Sequence, residues 1–405
     1  MVFDTGGMNG RVLLVTKTDF AAPRDGGTLR VSAIVSCLQA AGFSVDSVPI
    51  RSADGKRHRP NGQRTTRRSL ANGDWWMAAS RVATFTARVG SVSVARWYSP
   101  AAAERIASLF RHNRYAAVLI EYSQLLVYRS LFKKTPVILD MHNIEYELLA
   151  NYTASAQSVW TRLLARYETS RVRRLELRAR NLTDAIVTVS EHDADMIRLT
   201  SGGAVVVTAP NGVSESAFDV VRTTTENPAV VFIGHLGWQP NVDAAHWLVR
   251  SVWPAVNRSR PMAALQLIGQ RPAKSLLNYD GIDGISVHPD VPSTLPFLGA
   301  AAVATAPLRA AGGTRLKILE AMATGTPVVA TSLGAMGLEH LARGGAMVIA
   351  DDPDDFAEAL MRFIESRSDP ELVRQEVDPY RWSLALQPLV DVLMEKANHP
   401  CENEE

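Results

Sequence analysis

Two doubly wound α/β domains are what this chain predicts, and three observations carry that expectation. Short apolar runs alternate with amphipathic helical stretches nearly throughout, the alternation restarts halfway along, and 405 residues exceed one ordinary core. In the first half RVLLVT, FSVDSV, AAVLIEY, PVILDM, DAIVTVS and AVVVTA read as strands, with helical segments such as 28–41 and 101–111 among them. The second half restarts with AVVFIG, AALQLIG, GISVHP, AAVATA, PVVAT and AMVIA. Runs so short and apolar suit parallel strands covered on both faces. Turn residues from Pro210-Asn211-Gly212 to Pro228 break the pattern, which predicts domains at 1–212 and 213–380. A C-terminal amphipathic helix over 380–396, packing back on the first domain, and a frayed tail complete 381–405.

A net charge of +2 and a pI near 8.5 give no reason to expect nucleic acid as a partner. Cys37 and Cys401 form neither a metal nor a disulfide spacing. The N-terminal stretch lacks the apolar core of a signal peptide, and no apolar run is long enough to span a bilayer. A cytoplasmic protein is expected, with contact at the inner face of the membrane left open. The segment 51–68 holds seven basic residues and one acid, which reads as an exposed loop. Together with Trp75 and Trp76 it is either plain surface or a contact for an anionic or lipid-linked acceptor. The Arg-rich stretch 160–180 reads as a helix whose charge, Glu168 and Glu176 included, is mostly solvated.

Open α/β sheets bind ligands beyond the carboxyl ends of their strands, which selects the loops to inspect. These are Gly26-Gly27 after the first strand, Met141-His142-Asn143-Ile144-Glu145 after PVILD, Ser190-Glu191-His192 after DAIVTV, and Pro210-Asn211-Gly212. In the second half they are Gly234-His235-Leu236-Gly237, Pro289-Asp290-Val291 and PLRAAGGTRLKILEAMATGTPVVAT, from Pro307 to Thr331. In the last, Leu316, Leu319, Met322 and Ala323 predict a helix that Thr314 can cap and Gly325 and Pro327 end. Gly312 and Gly313 would let backbone N–H groups approach an anion at that helix start. No GxxxxGK[ST], GxGxxG, metal spacing or GxSxG occurs where it would be needed. A P-loop phosphotransferase, a dinucleotide-dependent redox enzyme and an α/β-hydrolase are therefore not indicated.

The run GGTRLKILEAMATGTPVVATSLGAMGL resembles the nucleotide-sugar signature of family-4 glycosyltransferases of the GT-B fold, two Rossmann-like domains facing a central cleft. VVFIGHLGWQPNVDAAHWL, VILDMHNIEYE and TVSEHDADMI resemble the same family in the same order. The resemblance implies that Glu320 matches the second carboxylate of E-x7-E and binds the donor ribose, since a carboxylate accepts from both hydroxyls of a diol. The alternative for Glu320 is a surface pair with Lys317. By the same resemblance Gly313 and Thr314 cradle the diphosphate, Gly27 faces it from the first domain, and His142 contacts the transferred sugar. Asp140 would fix its loop, Asn143 and Glu145 are lesser candidates, and Asn211 and Gly212 read mainly as hinge. Two departures stand out. Gly312 replaces the first carboxylate, and the loop at Gly234 and His235 lacks the usual Arg and Lys, so backbone amides, His235, or Arg315 and Lys317 must meet the leaving-group charge, with Arg309 another candidate.

What the resemblance implies is retaining transfer of a sugar from a nucleoside-diphosphate sugar to an acceptor hydroxyl, without metal or resident cofactor. The acceptor could be a glycan, a lipid-linked sugar or a small natural product, which fits polysaccharide or glycoconjugate assembly. A nucleotide-sugar epimerase and a non-catalytic nucleotide-sugar-binding protein are the alternatives.

Overall fold

The computed structural model describes residues 9–17, 20, 26–50, 91–132, 134–154, 159–223, 227–310, 316–366 and 368–398. It divides into two compact units: Met1–Pro210 with Leu386–Glu405, and Asn211–Ala385.

The first unit is built on β1 (Arg11–Thr16), β2 (Ser44–Pro49), β3 (Ala117–Glu121), β4 (Val137–Met141), β5 (Ala185–Thr188) and β6 (Val205–Thr208). All pairings are parallel, in the order β2-β1-β3-β4-β5-β6. β3 and β4 are buried at every position, as runs covered on both faces require. Helix α1 (Gly26–Ala40) buries Val31, Ile34 and Leu38 at helical spacing. Two further helices, α2 (Glu145–Ala154) and α3 (Val159–Leu177), follow β4.

The second unit repeats the plan with β7 (Ala229–Ile233), β8 (Ala264–Gly269), β9 (Ile285–Pro289), β10 (Ala301–Ala306), β11 (Val328–Ala330) and β12 (Met347–Ile349). The order is β12-β11-β10-β7-β8-β9, again all parallel. Apolar clusters on this sheet include Phe232, Trp253 and Phe356 in one, and Met322, Leu341 and Val377 in another. Helix α4 (Gln239–Trp247) follows β7, and α5 (Leu316–Ala323) precedes β11. α5 stops where Gly325 turns left-handed at φ 80.

In each sheet the chain leaves the first strand toward one side and later returns to the other, so switch points fall between β1 and β3 and between β7 and β10. The functional candidates lie around these strand ends.

Two sequence expectations need correcting. The continuous helix over 380–396 is broken: a four-residue helix, Trp382–Ala385, precedes α6 (Gln387–Asn398). Arg381 explains the break, because its ion pairs with Asp378 and Glu215 tie the first piece to the second unit. α6 belongs to the first unit and buries Leu389 and Leu393. Glu168 and Glu176 are buried rather than solvated. Glu168 accepts from Ser91 Oγ at 2.8 Å and from the Val92 and Ser93 N–H groups at 3.0 Å, so a helix end takes the place of basic partners.

Candidate active site

In the first unit the chemistry gathers at the ends of three neighbouring strands. Register pairs Glu121 of β3 with Asp140 of β4, and paired residues leave a sheet on the same face. Both carboxylates are fully buried. Arg30, also fully buried, reaches Asp140 from α1 with Nε to Oδ2 at 2.9 Å and Nη2 to Oδ1 at 2.7 Å. Its Nη1 donates to the carbonyls of Ala209 at 2.9 Å and Pro210 at 3.2 Å. Such a two-bond fork is the strong form of a carboxylate pair.

His142, one residue past β4, has Nε2 3.2 Å from both Glu121 Oε2 and Asp140 Oδ2. The Tyr122 ring lies 4.1 Å from its ring, and Tyr122 holds that place with a backbone φ of 71, uncommon for a residue with a side chain. Lys17, just past β1, sits 4.1 Å over the Tyr122 ring and donates to Gln124 Oε1 at 2.7 Å.

Burial opposes ionisation of Asp140, yet the Arg30 pair holds it well below the usual carboxylate range. Burial likewise penalises charge on His142, but its contacts with Asp140 and Glu121 win and raise it above the ordinary 6.5. Glu121 is raised by burial, against the pull of His142. Burial lowers the Lys17 ammonium to about 8. The donor atoms of Glu121, Asp140 and His142 fall within 4.8 Å of one another, as a cation site would need, but the Arg30 guanidinium already supplies positive charge to Asp140.

The loop after His142 is anchored from behind. Glu176 of α3 accepts from Ser123 Oγ at 2.7 Å and from the Glu145 and Tyr146 N–H groups at 3.2 and 3.1 Å, satisfying donors at the start of α2. Glu145 thus contributes its backbone to this anchor. Gly27 lies in the first turn of α1, three residues before Arg30.

In the second unit Glu320 projects from α5 and is half-buried. Thr294 Oγ1 approaches its Oε1 at 3.4 Å, and burial raises its carboxyl above the usual range. The alternative pairing with Lys317 does not occur. Lys317 donates to Asn241 Oδ1 of α4 at 3.0 Å and lies 4.7 Å over the Phe232 ring. Gly234 is where it must be: a Cβ there would meet Asn241 Nδ2 at 2.8 Å and Lys317 Nζ at 3.2 Å. Glycine therefore brings Lys317 and Asn241 against the end of β7. His235 is exposed, and its Nδ1 accepts from the Gly237 N–H at 3.2 Å. Arg309 is committed to Asp243, at 2.8 and 3.1 Å. Gly312, Gly313, Thr314 and Arg315 lie outside the described residues, as do 51–68, Trp75 and Trp76.

The structure therefore brings His142 and Asp140 together with two residues that sequence reasoning missed, Arg30 and Glu121. Lys17 and Tyr122 were missed as well. An Arg beside Val31 and Ile34 on an otherwise apolar helix face was the available signal for Arg30, and Glu121 ends an apolar strand run in the same way.

Residues 24–217 match the family model described as Glycosyltransferase Family 4, and residues 227–366 match that of Glycosyl transferases group 1. None of the curated proteins matches. Several solved structures are similar. One is the lipopolysaccharide outer core galactosyltransferase WaaB in its apo form, with TM-score 0.54 and 12% identity over 96% of this chain and 98% of that one. Another is Anabaena Alr3699/HepE in complex with UDP, with TM-score 0.57 and 12% identity over 95% and 100%. A third, the trehalose-6-phosphate protein from E. coli bound with UDP-2-fluoro glucose, has TM-score 0.58 and 12% identity over 95% and 99%. Identities this low speak for the fold, two parallel six-stranded sheets, while the two family models carry the kinship. Taken together, they make this chain a family-4 glycosyltransferase of the GT-B fold.

Proposed function

We propose that the protein transfers a sugar from a nucleoside-diphosphate sugar to an acceptor hydroxyl with retention at the anomeric carbon. Glu320 carries this reading. It is a half-buried carboxylate at the strand-end side of a Rossmann-like unit, with one long contact to Thr294 and capacity left for a ribose diol. UDP in the HepE structure and UDP-2-fluoro glucose in the E. coli one support a donor of that class. Lys317, and Arg315 with the backbone at Gly312, Gly313 and Thr314, are proposed to meet the diphosphate. His142 is proposed to donate a hydrogen bond to the transferred sugar.

In this reaction the bond from the anomeric carbon to the diphosphate oxygen breaks, and the acceptor oxygen bonds on the same face. The acceptor proton passes to a donor phosphate oxygen. Glu121 and Asp140 are a carboxylate pair, but both are buried, and Arg30 occupies Asp140, so they do not serve as a glycosidase-type acid and nucleophile. The reading requires no metal ion or resident cofactor, and EDTA is expected to leave the rate unchanged.

The first test is a thermal shift with UDP, GDP, TDP, ADP and CMP. One diphosphate should stabilise the fold by a few degrees, since saturation at a hundred times Kd is worth about 2.7 kcal/mol. Glu320→Ala should abolish the shift. No response to any of them would sink the donor assignment. Product analysis then separates transfer, which needs an acceptor, from epimerisation, which does not.

A second observation bears on the acceptor. α3 exposes Trp160, Leu163, Leu164 and Tyr167, and a groove of about 560 Å³ is lined by Arg162, Arg166, Arg173 and Arg174. Among the described residues this helix exposes an apolar stripe on one side and arginines on another, as a helix lying in an anionic lipid surface does. The proposal is an acceptor presented at such a surface. Cosedimentation with phosphatidylglycerol vesicles should fall when Arg166, Arg173 and Arg174 become serine; unaltered binding ends the idea. No helix among the described residues is long and apolar enough to cross a membrane.

A further inference from the structure

Substrate contact alone does not explain why His142 is walled in by two buried carboxylates and a buried guanidinium. Its Nε2 lies 3.2 Å from Glu121 Oε2 and from Asp140 Oδ2 without being aligned for a hydrogen bond to either, and no described residue bonds Nδ1. We infer that Arg30 and Glu121 are positioning residues: Arg30 locks Asp140, and the charges of Asp140 and Glu121 beside Nε2 hold the His142 ring as the imidazolium, leaving Nδ1–H to donate to the substrate.

The charges decide between the two ring states. With His142 protonated, Arg30 and His142 balance Asp140 and Glu121, and the buried set is neutral. With His142 neutral, either one negative charge stays buried or Glu121 takes the proton; two carboxylate oxygens 3.2 Å from one ring nitrogen favour the proton on His142, and neither Glu121 oxygen has another hydrogen-bond partner. The other groups around the ring do not reverse this. Tyr122 of the β3 end stacks on it, and the Lys17 cation is turned to the Tyr122 ring and Gln124. Burial pulls the imidazole down, and the two carboxylates outweigh it.

An imidazolium donates but cannot accept. His142 is therefore excluded as the base that takes the acceptor proton, which leaves the donor phosphate oxygen for that step. This last consequence rests on the sugar transfer proposed above; the protonation state itself does not.

The experiment is a titration of the His142 ring by 15N–1H correlation spectra of the full chain, from about pH 5 to 9. The signals are assigned by their loss in His142→Gln. The midpoint should lie above the ordinary 6.5, and Glu121→Gln should lower it. A wild-type midpoint at or below 6.5 overturns the inference. A midpoint unmoved in Glu121→Gln removes Glu121 from it. Arg30→Lys keeps the charge but not the fork, so kcat should fall about tenfold with donor KM within about twofold; an unchanged kcat removes Arg30. A raised midpoint in a chain that transfers no sugar would support the inference and sink the proposed function. Transfer with an ordinary midpoint would do the reverse.

Discussion

The two units carry their candidate residues in opposite ways. Around His142 the charged groups are bonded to one another and sealed: Arg30 with Asp140, His142 against Asp140 and Glu121. Around Glu320 the carboxylate has one long contact, Thr294 at 3.4 Å, and Lys317, three residues before it, turns away to Asn241 and the Phe232 ring. A sealed set costs no rearrangement when charge develops beside it, which suits stabilisation of a transition state. An open set has donors and acceptors to offer a ligand, which suits recognition. The same Rossmann-like plan thus carries a sealed charged set in one unit and a half-buried carboxylate with one long contact in the other.

The sharpest way to break this contrast is at Arg30. Arg30→Met should cost about 3–5 kcal/mol in urea denaturation, because it leaves Asp140 charged and buried without its partner. A loss below about 1 kcal/mol would mean that the pair is not sealed. Next in size is His142→Ala, expected to lower kcat about 10²–10³-fold while calorimetry finds donor affinity within about threefold. Equal losses in both would place His142 in ground-state binding. Glu320→Gln should show the complementary pattern, weakening the diphosphate by about 1–3 kcal/mol through its lost ribose contacts.

The smallest effect concerns pH and Glu176, whose carboxyl burial raises from 4.5 to about 7 despite its bonds to Ser123, Tyr146 and Glu145. The unfolded chain gives up this proton near 4.5 and the folded one near 7, so between them the folded state binds more protons and stability falls as pH rises. Glu176→Gln should flatten that part of a Tm-against-pH curve. An identical slope in wild type and variant would mean that Glu176 is already ionised when folded.

Much of the scaffold was legible. Every apolar run proposed as a strand became one, since parallel strands buried on both faces have few other ways to satisfy their backbone. His142 and Glu320 could be singled out because strand-end loops and the motif around α5 are local patterns. Arg30 and Glu121 could not, because their importance comes from a pairing 110 residues long between Arg30 and Asp140 and from the β3–β4 register. The burial of Glu168 and Glu176 was misread for a related reason. On a helix crowded with arginines, ion pairing looked sufficient, and the competing partners were backbone N–H groups contributed by other segments. Arg381 broke the C-terminal helix in the same manner, through partners the local pattern does not contain.

The anchoring of α2 has a consequence for hydrogen exchange. Amides in the first turn of a helix ordinarily face water and exchange quickly. Those of Glu145 and Tyr146 are instead tied to the buried Glu176 carboxylate. They can exchange only when α2 lifts from α3, so their protection factors measure how often the segment following His142 opens. Two amides thereby become a clock for the motion of a loop that otherwise offers no direct reporter.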